Sequence, residues 1–314
     1  TLLPGPDLGR RCADIMRRTR DEGFEVGIHT WDHVRWQDGV GDASAAWTRR
    51  EMELAQNRCT DIFKAPALTH GAAGWQMPRH ALRMTQEMGF HYCSDGRALP
   101  SAGTPHFPVV NAEIIDCPQL PTTLPTLDEL IGLDGCTDGN VDQHLLALTA
   151  NAPAAIAAAR RPMAAHVFTL HAELEGMRLL PVFEKLLAGW KDQGYELVAT
   201  DTVYQNLDRA HLPYFEAINA SLPGRSGLLL MQGKPFLPML AAAVLVMVGG
   251  ERIARRDVET RTPADRGRLL DLAAPAGLIA VFRSGHMTAQ AVEKLKALRD
   301  PALFPIFRSA LSSD

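Results

Sequence analysis

"EVGIHTWDHVRWQ", residues 25–37, is the stretch on which the reading of this chain turns. Glu25 to Ile28 form the end of an apolar, strand-like run, after which His29 and His33 arrive four residues apart, with Trp31 and Asp32 between them. Neutral imidazole is the commonest protein ligand of zinc-class ions. An H-x3-H spacing brings both rings to one face where the chain coils after a strand. The spacing alone also suits two hydrogen-bonded structural histidines. No glutamate stands between them as in HExxH, so a zincin-type protease is disfavoured.

Outward from this stretch, short apolar runs alternate with helical patterns. Residues 7–23 place Leu8, Cys12, Ile15 and Met16 at helical spacing and stop at Gly23. Residues 42–64 read as a second helix capped by Asp42 or Ser44. "RHALRMTQEMGF", "NVDQHLLALTAN" and "LLPVFEKLLAGWKDQG" read as further helices, the last stopped by Gly194. "HYCSD", "EIIDCPQLP", "AAHVFTLHAE" and "YELVAT" read as strands. Such alternation predicts parallel α/β architecture, a barrel or an open sheet, with chemistry on the loops after the strands. His29, His70, Asp95 and His171 all fall at or just past strand ends.

The chain has 314 residues, 46% of them hydrophobic and 22% charged, enough for one large domain of barrel size and an appendage. A net charge of −4 gives no sign of a nucleic-acid partner. Five widely spaced cysteines without CxxC patterns read as reduced thiols in a cytosolic setting. From about residue 236 the character changes. The apolar run of residues 236–250 is short for a membrane-crossing helix and reads as a buried helix or strand, or as a membrane-surface segment. Residues 236–314 carry no motif.

Three more places carry chemistry. "HVFTLHAELEG" delivers His171 at the end of a β-type run, followed by Glu173 and Glu175; a histidine that protonates a leaving amine needs such a rigid mount. "YCSDGR" sets Asp95 and Arg97 at a strand-to-loop edge, where an aspartate can orient a histidine. "THGAAGWQMP" surrounds Trp75 with small residues, as suits a loop packed close to a ligand.

Taken in this order, "HTWDHVRWQ", "AAGW", "SDGRA", "LPTTLPTLDE", "HAELEG" and "LPGRSG" resemble the polysaccharide-deacetylase (NodB-like) superfamily over residues 1–235. Within it they are most similar to the bacterial deformylases of undecaprenyl-phosphate-linked 4-formamido-4-deoxy-L-arabinose. The resemblance implies a deformed barrel of about seven strands in residues 1–235, with residues 236–314 as a C-terminal extension of unknown role. It implies one divalent ion (Zn, Mn or Co) held by His29 and His33, with His171 as general acid and Asp95 as the partner of that histidine. Trp31, Trp75, Arg97 and Glu173 would contact the sugar. It also implies a lipid-linked amino-sugar substrate met at a membrane surface, by a peripheral protein on the cytoplasmic face of the inner membrane, and a part in lipid A modification and resistance to cationic peptides.

The family's first motif, with two aspartates that serve as base and third metal ligand, has no counterpart in the 28 residues before His29. The third ligand is therefore expected upstream of Thr1, the first barrel strands are expected to be missing, and this stretch alone is expected to be impaired in catalysis. An N-acetyl glycan deacetylase and a silent lipid-linked-sugar-binding fragment are the alternatives. Gln76 follows Trp75 where many relatives carry arginine, and Arg79 is the nearest guanidinium in sequence.

Overall fold

The computed structural model describes residues 5–99, 103–150 and 166–236, with two short strands beyond them, Met247–Val248 and Glu251–Arg252. The chain divides into two compact units, residues 1–236 and 237–314. In the second unit the two short strands pair antiparallel. The rest of that unit, with most of the apolar run of residues 236–250, lies outside the described residues.

The helices of the first unit are α1 (Leu8–Arg11), α2 (Ala13–Asp21), α3 (His33–Gly39), α4 (Ala45–Phe63), α5 (Arg79–Glu87), α6 (Leu127–Leu130), α7 (Val141–Thr149), α8 (Leu180–Asp192) and α9 (Thr200–Gln205). Local chemistry sets their ends. Ser44 Oγ accepts the Trp47 N–H at 3.2 Å to start α4, and Lys64, at φ 60°, ends it. The helix expected over residues 7–23 is broken at Cys12 into α1 and α2, and neither piece has a buried residue. Leu8 and Ile15, its expected apolar face, are about 60% exposed.

The strands are β1 (Thr69–His70), β2 (Tyr92–Cys93), β3 (Phe107–Val110), β4 (Glu113–Ile114), β5 (Tyr214–Ala220) and β6 (Leu229–Pro235). β1 and β2 pair in parallel, and single parallel bridges extend the array to Ile28 on one side and Gln119 on the other. A second sheet runs β4-β3-β5-β6, with β3 and β5 parallel and the outer pairs antiparallel. The architecture is α/β with parallel neighbours, as the alternation predicts. The closed barrel is not formed among the described residues, because residues 166–170 and 195–199, expected as strands, carry no ladder there. Val167 O takes the Thr123 and Leu124 N–H groups, its only backbone pairing among the described residues.

Two apolar clusters hold the unit. Trp36, Met52, Leu82, Phe90, Cys93, Ile115 and Leu230 pack α3, α4 and α5 against the parallel segments. Leu124, Leu127, Leu145, Leu186 and Trp190 join α6, α7 and α8. Fully burying one such leucine stabilises the fold by about 1.5–3 kcal/mol. α7 and α8 approach closely because position 189 is glycine: a Cβ there would lie 2.5 Å from Leu146 Cδ1. Gly27 is equally constrained, since a Cβ would meet Thr69 Oγ1 at 2.5 Å and Thr69 O at 2.9 Å. This close approach fixes the segment that ends in His29 against β1.

Candidate active site

His29 leaves the array one residue past the Ile28–His70 bridge, and its Nδ1 donates to Gly71 O at 2.8 Å. That bond selects the tautomer with a free Nε2, the arrangement found in metal-binding histidines. Thr30 then takes φ 65°, a conformation that costs a β-branched residue about 1–3 kcal/mol, and the chain turns into α3. Asp32 caps α3 by accepting the Arg35 N–H at 3.0 Å, which places His33 in the first turn. The His29 and His33 rings come together, with centroids 5.1 Å apart and planes tilted by 53°.

The protein packed around His29 lowers its pKa to about 4, even though part of the ring reaches solvent. The Gly71 bond opposes the shift, and the fields of His33, His70 and His171 add to it. His29 is therefore neutral at physiological pH, as a metal ligand has to be. Four histidines from three segments of the chain, His29 with His33, His70 and His171, thus influence one another here.

His171 sits at the entrance to a π-helical turn, Leu174–Arg178, a local irregularity that often accompanies function. Its backbone N–H donates to Glu175 Oε2 at 2.8 Å, and its carbonyl accepts the Leu174 and Glu175 N–H groups. The carboxylate beside its ring is Asp128, with Oδ1 3.6 Å from Nδ1. Asp128 is in turn held by Arg225 Nη2 at 3.1 Å.

Asp95, expected to serve His171, is instead engaged with His70. Its Oδ1 is 2.5 Å from His70 Nδ1, its Oδ2 accepts Gln119 Nε2 at 2.9 Å, and both side chains are fully buried. β1 and β2 stand side by side, with His70 in register with Cys93, so Asp95 meets the histidine of the adjacent segment.

The expected sugar contacts are also placed. Trp31 is 38% exposed and lies beneath the Arg58 guanidinium, 5.2 Å from its ring centroid. Trp75 is buried between two guanidinium groups, Arg97 at 4.4 Å and Arg225 at 4.9 Å, while its Nε1 donates to Thr122 Oγ1 at 3.1 Å. Glu129 bridges the two arginines, accepting from Arg97 Nη1 at 2.5 Å and Arg225 Nε at 2.6 Å. Burial works to raise the pKa of Glu129, but the two guanidinium groups outweigh it and hold it low. Arg97 and Trp75 are thus committed to each other behind the His171 loop, and Glu173 is exposed on the turn after it. Arg225 supplies the guanidinium sought near Trp75, while the side chain of Gln76 donates to Ser226 O.

The fold and site together define an α/β protein with a paired-histidine centre and a carboxylate-backed histidine at the mouth of a parallel array. No protein-family model matches the chain. It is similar to a protein of Shewanella sediminis (strain HAW-EB3) named as the probable 4-deoxy-4-formamido-L-arabinose-phosphoundecaprenol deformylase ArnD. The two are 30% identical over 236 residues, which covers 74% of this chain and 70% of the relative. A protein of the same name from Wigglesworthia glossinidia brevipalpis is 26% identical over 232 residues, 73% of this chain and 75% of the relative. Among solved structures, a crystal structure from Mycobacterium smegmatis assigned to the polysaccharide deacetylases superposes with a TM-score of 0.50 at 15% identity, over 68% of this chain and 73% of that one, and shows a shared fold. The chain belongs to the family of the ArnD deformylases.

Proposed function

We propose that this protein hydrolyses the formamide of a 4-formamido-4-deoxy-L-arabinose carried on undecaprenyl phosphate, releasing formate and the free amine. The observation that carries the reading is the gathering of His29, His33 and His171 around one mouth of the parallel array, with His29 held neutral and its Nε2 free.

The residues fit a divalent ion. His29 and His33 would hold it, since their rings face one another and His29 spends only Nδ1 on the backbone. Such an ion polarises a carbonyl and lowers the pKa of water, and Zn, Mn and Co all suit nitrogen and oxygen donors. The chain's own part is proton handling. His171 stands as the general acid that delivers a proton to the departing amine nitrogen, with the Asp128 carboxylate 3.6 Å from its Nδ1. Arg225 fixes Asp128 in place.

Among the described residues no helix is long and apolar enough to cross a membrane. A polyprenyl-linked substrate is met at a membrane face, so we assign the protein a peripheral place on the cytoplasmic side of the inner membrane, with a part in lipid A modification and polymyxin resistance. The test, run on this chain and on a form that also carries the family's two-aspartate motif ahead of it, is formate release from a formamido-arabinose polyprenyl phosphate with Mn²⁺, Co²⁺ or Zn²⁺ added, beside acetate release from an N-acetyl glycan. Metal-dependent formate release that His29→Ala abolishes is the expected result. Acetate release alone would move the protein to the deacetylases, and release of neither would defeat the hydrolase reading.

A further inference from the structure

Behind the paired-histidine centre lies a second group of ligand-type side chains. His70 on β1, Cys93 on β2 and Asp95 just past it offer ligand atoms that all lie within 4.8 Å of one another, and each residue is buried. A fourth donor stands beside them: Cys117 Sγ is 3.6 Å from Cys93 Sγ and is itself fully buried. From these residues we infer a second, structural metal site for a zinc-class divalent ion, held by the Cys93 thiolate, His70 and Asp95, with Cys117 as the fourth ligand.

The donors exceed what a hydrogen-bond network would use. Asp95 is already served by Gln119, which accepts the Asp95 N–H at 3.0 Å and donates to Oδ2 at 2.9 Å. His70 spends Nδ1 on Asp95, and its Nε2 has no partner among the described residues although the side chain is wholly inside the protein. Leaving a buried polar nitrogen without a partner destabilises the fold. The Cys93 thiol meets Cys117 and the Asp95 carboxylate, and Cys117 also meets the carbonyl of Phe90 at 3.6 Å.

Zinc-class ions are four-coordinate in structural sites, with bonds of about 2.0–2.3 Å, so their ligand atoms stand roughly 3.3–3.8 Å apart. The ligand atoms of His70, Cys93 and Asp95 are within about an ångström of that spacing, and Cys117, 3.6 Å from Cys93, would shift inward to complete the set. Mixed sulfur and nitrogen donors favour zinc or cobalt over magnesium or calcium. Each cysteine that ligates releases its thiol proton to solvent. Gln119 would remain as the outer partner of Asp95. An ion here would tie β1, β2 and the segment after β4 together across three neighbouring strands. The inference stands apart from the hydrolase reading, since none of His29, His33 or His171 takes part.

Cobalt substitution separates the two centres, because only this one contains thiolates. The full chain is loaded with Co²⁺ and its near-ultraviolet spectrum recorded, alongside metal counts on the zinc-grown protein. The expected result is a thiolate-to-cobalt charge-transfer band that persists in the His29→Ala/His33→Ala double variant, weakens in Cys93→Ser and disappears in Cys93→Ser/Cys117→Ala. Cys117→Ala, the milder change, should weaken or shift it. The wild-type spectrum alone can overturn the proposal if it shows no such band while the thiols titrate as free. A band that survives in the folded Cys93→Ser/Cys117→Ala double variant would overturn it as well, and so would a Cys93–Cys117 disulfide found under denaturing, non-reducing conditions.

Discussion

Oδ1 of Asp128 lies 3.6 Å from Nδ1 of His171, and the same carboxylate is gripped by Arg225. A carboxylate in this position stabilises imidazolium and fixes ring orientation, so its loss acts on the proton-transfer step more than on substrate capture. Asp128→Asn should lower kcat for formate release by roughly 10- to 100-fold while KM changes little. His171→Gln, which removes the acid itself, should cost roughly 10²- to 10⁴-fold. Steady-state kinetics on the two variants checks both. Equal loss in Asp95→Asn with Asp128→Asn unaffected would return the partner role to Asp95.

His29 and His33 are expected to act as a pair. Removal of an outer partner of a ligand costs about 10- to 100-fold in metal affinity or activity, and removal of a ligand should cost more. His29→Ala and His33→Ala should each lower metal affinity and formate release by at least about 100-fold, read by metal titration and by assay. Trp36 lies three residues past His33, wholly buried, with its indole N–H on Gln76 O at 2.7 Å. Trp36→Ala should therefore act on stability instead, at about 3–5 kcal/mol in denaturant unfolding.

The paired histidines were legible in the sequence because everything that positions them is local: a strand end, a turn, an aspartate cap and the first turn of a helix. The larger helices were legible for the same reason, from apolar spacing and glycine stops. The partner of His171 was not. Asp95 sits on the loop after β2 and Asp128 in the first turn of α6, and only the packing of these segments decides that one meets His70 and the other His171. The clamp on Trp75 is non-local too, since Arg97, Glu129 and Arg225 are distant in sequence. Its signals were present in "LPTTLPTLDE" and "LPGRSG" without a way to join them. The sheet was over-read, because apolar runs such as residues 195–199 announce extended chain but say nothing of whether a neighbour supplies a ladder.

Arg97 and Glu129 form a buried ion pair, 4% and 3% exposed, with Trp75 stacked against the guanidinium. Removing one partner strands a charge in the interior, at about 3–5 kcal/mol, whereas replacing both with apolar groups is often near neutral. Glu129→Gln should destabilise by about that amount in urea unfolding. The double variant Arg97→Met/Glu129→Leu should recover much of the loss. If the double variant were as damaged as the sum of the singles, the pairing would not be the source of the effect.

His106 gives the fold its expected acid sensitivity. Burial depresses its pKa from 6.5 to about 4, against the opposing bond between its Nδ1 and Thr104 O at 2.9 Å. Phe215 packs edge-on to the ring, and Arg97 lines the same small cavity, so no acid among these neighbours favours the cationic form. The folded pKa lies below the unfolded one, so between pH 6.5 and about 4 the unfolded chain binds the proton that the folded chain refuses. Stability should therefore rise with pH through that window and level off above it. The loss from this group should be on the order of 3 kcal/mol by pH 4. Glu129, whose pKa is held below 4.5, adds its own loss only at the acid end of the range. Denaturant unfolding from pH 4 to 8 should show this slope in the wild type and a flatter profile in His106→Gln. An unchanged slope in that variant would place the acid sensitivity elsewhere.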